Sequence, residues 1–307
     1  MTAASLLLAV VLFLHWFDPV RWPPLALEFL TSLHGPGFAL VALAAYLFLG
    51  DRLPGLSRYA VAAAIAMGIG LLSEASQIPG GRAAQLSDLG INALGIAGAL
   101  GTLALLDEQF RRHIFGLRRM LLGGGCALLL VYAILPSLML AYAFVAQYRA
   151  MPQLVTFEHG WESATYLQAG SRMPARYAAP RQWPADGTTV AHAVEDGRWG
   201  ILLALRPWPN WSGYSAVRFV AASATDRSYR VGVAIRETTD AADDPANRYY
   251  TTIDVGPVPQ DYSIDFAAVS GAAESRSFDF SHVAAFVISA ASPGDGVSLL
   301  IDDIRLE

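Results

Sequence analysis

The sequence predicts a bundle of about five transmembrane helices followed by an all-β sandwich. Of the 307 residues, 54% are hydrophobic and only 15% are charged, and the excess apolar content lies in the first half of the chain. From about residue 155 the pattern changes to short runs of β-branched and aromatic residues that alternate with polar ones. We therefore expect a helical membrane domain over residues 1–150 and a β domain over residues 151–307, with Met151-Pro152 at the boundary.

The five expected spans cover about residues 3–17, 34–50, 59–75, 88–106 and 120–147. Several are shorter than the roughly 20 residues that cross a bilayer core, which draws their flanking polar residues toward the membrane boundary. The first stretch lacks a basic segment before it and is followed by bulky residues from His15 to Pro19. We therefore expect a retained span there and not a cleaved signal peptide.

Arginine placement predicts the orientation. The loop over 107–119 holds four arginines and the loop over 51–58 holds two, whereas the loops over 18–33 and 76–87 hold one each. Cytoplasmic loops carry the excess of basic residues. The sequence therefore predicts a multi-pass protein of the bacterial inner membrane, with a cytoplasmic amino terminus and a periplasmic or extracellular β domain.

Strongly polar side chains stand between the third and fourth expected spans: Glu74, Gln77, Arg82, Asp88 and Asn92. Residues three or four apart share one helix face, so the first two and the last two of these form pairs. The Pro-Gly-Gly run at 79–81 breaks the chain between the pairs. Together with His34, these residues are predicted to meet at the boundary of the inner membrane that faces the periplasm or the cell exterior. Ionisable groups within a membrane protein usually have a function.

This pattern resembles the VanZ-like family of small bacterial membrane proteins, named for a teicoplanin-resistance protein. The resemblance rests on His34 at the start of a helix, Glu-x-x-Gln followed by Gly-Arg, and Asp-x-x-x-Asn before a Gly-rich helix. It covers roughly residues 1–110. It implies an association with glycopeptide resistance and cell-surface saccharides, without defining a reaction.

These polar side chains are suited to bind the headgroup of a lipid-linked molecule. Arg82 can donate two parallel hydrogen bonds to a phosphate. His34, Glu74 and Asp88 are the candidates for acid–base catalysis, and Gln77 and Asn92 for further ligand contacts. Alternatively, the carboxylates only form ion pairs with Arg82, and Asn92 only joins helices beside Gly95, Gly98 and Gly101. The chain has no nucleophile elbow, HExxH motif or Gly-rich phosphate loop, so turnover stays an open question.

Seven runs in the second half are expected to be strands, at about 200–206, 216–222, 229–236, 249–255, 260–266, 282–289 and 298–306. Clusters of Pro, Asn, Asp and Gly separate them. Seven or eight strands at this spacing predict a β-sandwich.

The ends of this domain resemble the galactose-binding-like jelly rolls of carbohydrate-binding modules and complex I intermediate-associated proteins. The resemblance rests on Val-Thr-Phe-Glu at 155–158, Trp-Ser-Gly-Tyr at 211–214 and Ile-Asp-Asp-Ile at 301–304. It implies that the first and last strands can supply oxygen ligands to a structural calcium ion. Glu158 and Asp302 are the candidate ligands, with solvated strand residues as the alternative. We expect no other cofactor.

Trp208 and Trp211 stand in a Pro-rich loop and are candidates for a saccharide-stacking platform, with packing in the core as the alternative. Residues 151–307 hold twelve basic and nineteen acidic residues, a net charge of −7, which argues against nucleic acid as a partner. The leading hypothesis is a membrane protein that binds, and in one version processes, a cell-envelope or lipid-linked saccharide. The alternatives are a scaffold for envelope or exopolysaccharide proteins, and a hydrolase or transferase acting on a polyprenyl phosphate.

Overall fold

The structure is a computed structural model that describes residues 32–77, 86–112, 115–166, 174–185, 187–195, 200–237, 248–272, 278–292 and 294–307. The described residues form two compact units, 32–138 and Met139–Glu307. The division falls inside one long helix, and the change from helix to strand follows between Ala150 and Gln153.

The first unit is helical. Its helices are α1 His34–Leu49, α2 Leu56–Gln77, α3 Leu86–Leu106, the single turn α4 Glu108–Arg111, and α5 Leu117–Ala150, which continues into the second unit. A short 3₁₀ turn, Gly50–Arg52, follows α1. In the part of the chain that is described, three segments are long and apolar enough to cross a membrane: Leu56–Ala75, Asp88–Leu106 and Leu117–Ala150. The expected span at 34–50 is an apolar helix of 16 residues, and the one at 3–17 lies outside the described residues.

Small residues bring the helices of this unit close together. A Cβ atom at Gly95 of α3 would collide with the backbone carbonyl of Gly35 on α1. Further along α3, a Cβ at Gly98 would meet the Leu130 side chain at 2.8 Å, and one at Gly101 would meet Cys126 Sγ at 2.5 Å. Close backbone approach through small residues is the usual way in which membrane helices pack. The small-residue face expected of α3 is therefore present, and it contacts both α1 and α5.

A tyrosine pair joins the helices at the other end of the unit. The Tyr46 hydroxyl donates to the Tyr59 hydroxyl at 3.2 Å, and the Tyr59 hydroxyl donates to Asp107 Oδ2 at 3.1 Å. The Arg58 guanidinium lies 3.8 Å from the centre of the Tyr46 ring. These polar contacts satisfy side chains from α1, α2 and the end of α3 in one place.

The second unit is an antiparallel β-sandwich of ten strands among the described residues. They are β1 Gln153–Val155, β2 Ala175–Ala178, β3 Thr189–Val194, β4 Ile201–Leu205, β5 Ala216–Ser223, β6 Tyr229–Glu237, β7 Arg248–Val255, β8 Gln260–Asp265, β9 Val283–Ala290 and β10 Ser298–Leu306. A helix, α6 Phe266–Ala272, follows β8, and 3₁₀ turns form at Gly160–Thr165 and Phe280–His282. All seven expected strands are present within about two residues of their predicted ends.

Strand order identifies this sandwich as a jelly roll. One sheet has the order β2-β3-β10-β5-β8, with β1 added on β10, and the other has the order β4-β9-β6-β7. From β3 to β10 the first strand pairs with the last, the second with the seventh, the third with the sixth and the fourth with the fifth. This nested pairing of eight antiparallel strands is the jelly-roll topology. We call the sheet β4-β9-β6-β7 the smaller sheet.

The core lies between the two sheets. Alternate residues of β6 and β9 point inward, and the largest wholly buried side chains include Trp211, Phe157, Phe219 and Phe286. On the outer face of the smaller sheet, a separate group of small residues packs together: Ala204, Ala234, Ala285 and Val287. The period-2 pattern of the sequence therefore assigns one face of each strand to the core, as expected.

Replacing Gly95 by Ala should destabilise the helical unit, because the added Cβ has no room beside the Gly35 carbonyl. Gly90→Ala on the same helix is the matched control, since nothing lies within 4 Å of a Cβ there. The control should be neutral or stabilising by up to about 1 kcal/mol, from the better helix propensity of Ala. Thermal unfolding of both full-length variants in detergent, followed by circular dichroism, measures the difference. Equal melting temperatures would contradict the close packing.

Candidate functional site

Three polar residues of the helical unit meet in one place. His34 begins α1, Glu74 lies in the last turn of α2, and Asp88 lies in the first turn of α3. Each offers a nitrogen or oxygen atom, and these atoms lie within 4.8 Å of one another. The structure thus brings together three of the residues that the sequence placed at one membrane boundary. We call them the His34–Glu74–Asp88 cluster.

Asn92 lies one turn beyond Asp88 on the same helix and is wholly buried. Its side-chain nitrogen is the nearest atom to a Cβ built at Gly70, at 3.3 Å, and Gly70 lies one turn before Glu74 on α2. Within the described residues, both polar atoms of the Asn92 amide and the Nδ1 atom of His34 are buried without a hydrogen-bond partner. Such groups are costly to bury unless something satisfies them.

Two residues of the expected headgroup site are not part of this geometry. Arg82 lies outside the described residues, and Gln77 is described only as the backbone end of α2. Their expected contacts to a phosphate or sugar stay predictions.

The predicted tryptophan platform is wrong for Trp211. Its side chain is wholly buried, its indole N–H donates to the Trp208 carbonyl at 2.7 Å, and its ring stacks on Phe266 with centroids 5.7 Å apart. Trp208 is half-buried between Phe144 and Tyr148 of α5, with ring centroids 4.7 and 4.8 Å away. Both tryptophans of the Pro-rich loop therefore pack against other side chains, because burying their apolar rings removes them from water.

The smaller sheet instead presents Tyr250 of β7. Its side chain is 47% exposed, and its ring lies over Gly232 of the neighbouring strand β6. A Cβ at Gly232 would approach the Tyr250 hydroxyl oxygen to 2.5 Å and two ring carbons to 2.7 and 2.8 Å. Glycine is therefore the residue that lets this ring rest against the sheet. A glycine inside a strand often marks such a close approach, which is the signal that sequence reasoning could have used.

Hydrogen-bonding side chains lie on the same face of the sheet as Gly232. Gly232 pairs in register with Thr252 on one side and Ser289 on the other. One step along the sheet, the exposed Arg230 and Asp254 form an ion pair with Nε to Oδ1 at 3.3 Å. An exposed aromatic face bordered by hydroxyl, guanidinium and carboxylate groups is the chemistry that recognises a sugar ring and its hydroxyls.

Glu158 and Asp302, the expected calcium ligands, lie close together. Oε1 of Glu158 and Oδ2 of Asp302 would lie 2.9 and 3.4 Å from a Cβ built at Gly187. Each adjoins a residue with left-handed backbone, Phe157 at φ 62° and Asp303 at φ 51°. Non-glycine residues adopt this conformation rarely, and often near functional sites.

The electrostatics around this pair favour a cation. Burial raises the pKa of Asp302 to about 7, the negative charges of Asp303 and Glu158 add to the rise, and hydrogen bonds from Asp303 N–H and the Trp183 indole oppose it. Burial also acts to raise the pKa of Glu158, but hydrogen bonds from Thr189 and Thr188 outweigh it and lower that pKa. Among the described residues, neither carboxylate pairs with an arginine. The two neighbouring carboxylates supply oxygen atoms, which are the ligands that Ca²⁺ prefers.

Comparisons with known proteins give only distant similarity. No family model matches the chain, and no curated protein matches it. An exo-beta-agarase structure has 14% identity and a TM-score of 0.36, covering 50% of this chain and 24% of that one. A family 11 carbohydrate-binding module from Clostridium thermocellum, in complex with a β-1,3-1,4-mixed-linked tetrasaccharide, has 12% identity and a TM-score of 0.34, covering 50% of this chain and 93% of that one.

A third similar structure holds the CBM22-1 and GH10 modules of the C. thermocellum endo-1,4-β-D-xylanase 10B, complexed with xylohexaose. It has 12% identity and a TM-score of 0.31, covering 50% of this chain and 28% of that one. This chain therefore spans about a quarter of the agarase and of the xylanase modules. Similarity at this level assigns neither a family nor a ligand, and the jelly-roll assignment rests on the strand order alone.

We expect the stability of the sandwich to depend on pH through the raised pKa of Asp302. Because its folded pKa of about 7 lies above its ordinary value of 3.8, the folded state holds a proton that the unfolded chain has already lost between these values. This contribution to stability therefore falls as the pH rises from about 4 to 7. Asp302→Asn should flatten the dependence of the melting temperature on pH in chelator, whereas Asp226→Asn, at an exposed site, should leave it unchanged.

Ca²⁺ should offset the stability that the sandwich loses as the pH rises. At about pH 8 the carboxyl of Asp302 is ionised, so Ca²⁺ should raise the melting temperature of the wild-type chain and have little effect on Asp302→Asn. Near-ultraviolet circular dichroism of the tryptophans follows the unfolding of the sandwich. An equal pH slope in wild type and Asp302→Asn would contradict the raised pKa, and equal calcium effects would contradict the ion site.

Proposed function

We propose that this protein binds a saccharide on the outer face of the smaller sheet, at Tyr250. The observation that carries the proposal is the contact between the Tyr250 ring and Gly232, which keeps a half-exposed aromatic ring against the sheet. Sugar rings present apolar C–H faces that stack on aromatic faces, and their hydroxyls need hydrogen-bond partners nearby. The groups around Tyr250 supply both.

The preformed position of the ring favours binding. A tyrosine has few rotatable bonds, and the contact with Gly232 restricts them further before any ligand arrives. Less conformational entropy is then lost on binding than with a free surface side chain. The flanking side chains of Thr252 and Ser289 lie on strands, and strand positions are held more firmly than loop positions.

Among the described residues of the sandwich, a second exposed tyrosine has a different setting. Tyr177 on β2 is 54% exposed and meets His192 edge-on, with ring centroids 5.3 Å apart. It lies on a short strand at the edge of the larger sheet, with no glycine opposite it in the β2–β3 register. We therefore assign the binding role to Tyr250 and use Tyr177 as its control.

We further infer that the helical domain anchors this module at the outer face of a bacterial inner membrane. Three long apolar helices support insertion in a membrane, and the arginines in the loops over 51–58 and 107–119 support this orientation. In that setting the available ligands are cell-surface or lipid-linked saccharides, in keeping with the VanZ-like resemblance of the first 110 residues. The scaffold alternative predicts the same orientation but no saccharide affinity.

Removing the Tyr250 ring should weaken saccharide binding. We expect Tyr250→Ala to lower affinity by about tenfold or more, since an aromatic contact contributes about 1.5 kcal/mol. Gly232→Ala should also weaken binding, because its Cβ displaces the ring. The measurement is isothermal titration of the full chain in nanodiscs with mixed-linked β-glucan, xylan and agarose oligosaccharides and envelope glycans.

Tyr177→Ala is the matched control and should bind as wild type does. Saturable binding that Tyr250→Ala and Gly232→Ala leave unchanged would move the site elsewhere on the chain. No binding of any glycan by the wild-type protein would contradict the proposal and favour the scaffold.

Single cysteines should report the orientation. In a Cys126→Ala background, Asp226→Cys lies on an exposed loop of the sandwich and Glu108→Cys on an exposed turn after α3. A membrane-impermeant maleimide added to intact spheroplasts should label the first and spare the second until the membrane is permeabilised. Labelling of Glu108→Cys alone would reverse the proposed topology.

A further inference from the structure

The His34–Glu74–Asp88 cluster has the composition of a metal site. It supplies one imidazole and two carboxylates from three different helices, with ligand atoms within 4.8 Å of one another. Ligand atoms bound to one Zn²⁺ at about 2.0–2.2 Å lie roughly 3–4 Å apart, so small side-chain rotations would complete the coordination. Glu74 is 3% exposed, so its carboxylate meets almost no solvent.

The surrounding helices hold these side chains in place. Gly35, next to His34, touches Gly95 of α3 and Ala133 of α5 so closely that no Cβ would fit. Three residues before Gly95 on α3, the Asn92 side chain lies against Gly70 of α2. Asn92 is one turn from Asp88, and Gly70 is one turn from Glu74. These close contacts among α1, α2 and α3 fix where each helix presents its side chain. Such rigid support is what a metal site needs.

A second observation points to a missing ligand. Within the described residues, Nδ1 of His34 and both polar atoms of the wholly buried Asn92 amide have no hydrogen-bond partner. A buried imidazole nitrogen without a proton partner is the atom that a metal binds. The Asn92 amide, one turn from Asp88, can bond to a water or ligand held on the same ion.

The charges are consistent with this assignment. Two carboxylates this close repel each other unless a cation lies between them. A divalent ion neutralises both. Ca²⁺ and Mg²⁺ prefer ligand sets made of oxygen atoms alone. A set that includes one imidazole therefore fits Zn²⁺ better than either of them.

We propose that His34, Glu74 and Asp88 bind one divalent transition-metal ion, Zn²⁺ by preference, at the start of α1 and α3. Three protein ligands leave at least one coordination position for water or an anionic ligand. This site is independent of the saccharide face and belongs to the other unit of the chain. The competing occupant is a cationic side chain such as Arg82, which would leave the cluster unable to bind metal.

The test uses the full-length protein, purified in detergent with a Strep tag and stripped with chelator. Zn²⁺ affinity is measured by competition with a chromogenic indicator, and Co²⁺ is added as a spectroscopic probe. Wild type should bind one Zn²⁺ and show Co²⁺ d–d absorption without the charge-transfer band of a thiolate. Glu74→Gln and His34→Gln should each weaken Zn²⁺ binding by more than about tenfold, the least expected for a lost ligand.

Two further variants make the outcome decisive. Glu108→Gln removes an exposed carboxylate from the same unit and should leave metal affinity unchanged. Arg82→Gln should leave it unchanged or raise it. Wild type that binds no stoichiometric metal, by indicator and by Co²⁺ spectrum, would overturn the proposal whether or not the variants fold. Metal binding that survives both Glu74→Gln and His34→Gln would overturn it equally.

Discussion

The register between β6 and β7 determines which side chains of the smaller sheet are exposed to solvent. It buries Val231, Val233 and Ile235 in the core, and it places Gly232 beneath the ring of Tyr250 on the opposite face. Because side chains alternate along a strand, a shift of one residue would exchange the two faces and lose both the core and the aromatic surface. The same hydrophobic burial that stabilises the sandwich therefore positions the residue to which we assign binding.

The helical unit follows a related principle with different residues. Glycines at 35, 70 and 95 remove the side chains that would keep α1, α2 and α3 apart, and the approach that results brings His34, Glu74 and Asp88 within reach of one another. Polar groups in such a setting are expensive unless they are satisfied. The saccharide face proposed for the smaller sheet and the metal site proposed for the helical unit are therefore chemically different. Each site rests on a glycine that permits close contact.

Much of this could be predicted from the sequence. The length of the apolar runs predicted the long helices, and the period-2 alternation predicted seven strands. Helices that cross a membrane in alternating directions were expected to bring His34, Glu74 and Asp88 together, and these residues do lie together. Strands β1 and β2 were missed because they have only three and four residues. Strand β3 was missed although it has six, and its pairing with β10 lies far along the chain. Trp211 was misassigned because a Pro- and Asn-rich neighbourhood suggests an exposed loop, whereas the long-range fold buries the ring. Gly232 inside a strand signals a close approach, but the sequence does not show that Tyr250 makes it, because strand register is not encoded locally.

Side-chain footprinting of the full chain in nanodiscs tests the central claim most directly. A carbene reagent labels exposed side chains, and a saturating oligosaccharide protects those that it covers. The account predicts protection at Tyr250 and its neighbours Thr252 and Arg230, with Tyr177 and Tyr148 labelled as in the free protein. Protection confined to the loop around Trp208 or to the helical unit, with Tyr250 still labelled in full, would contradict the account.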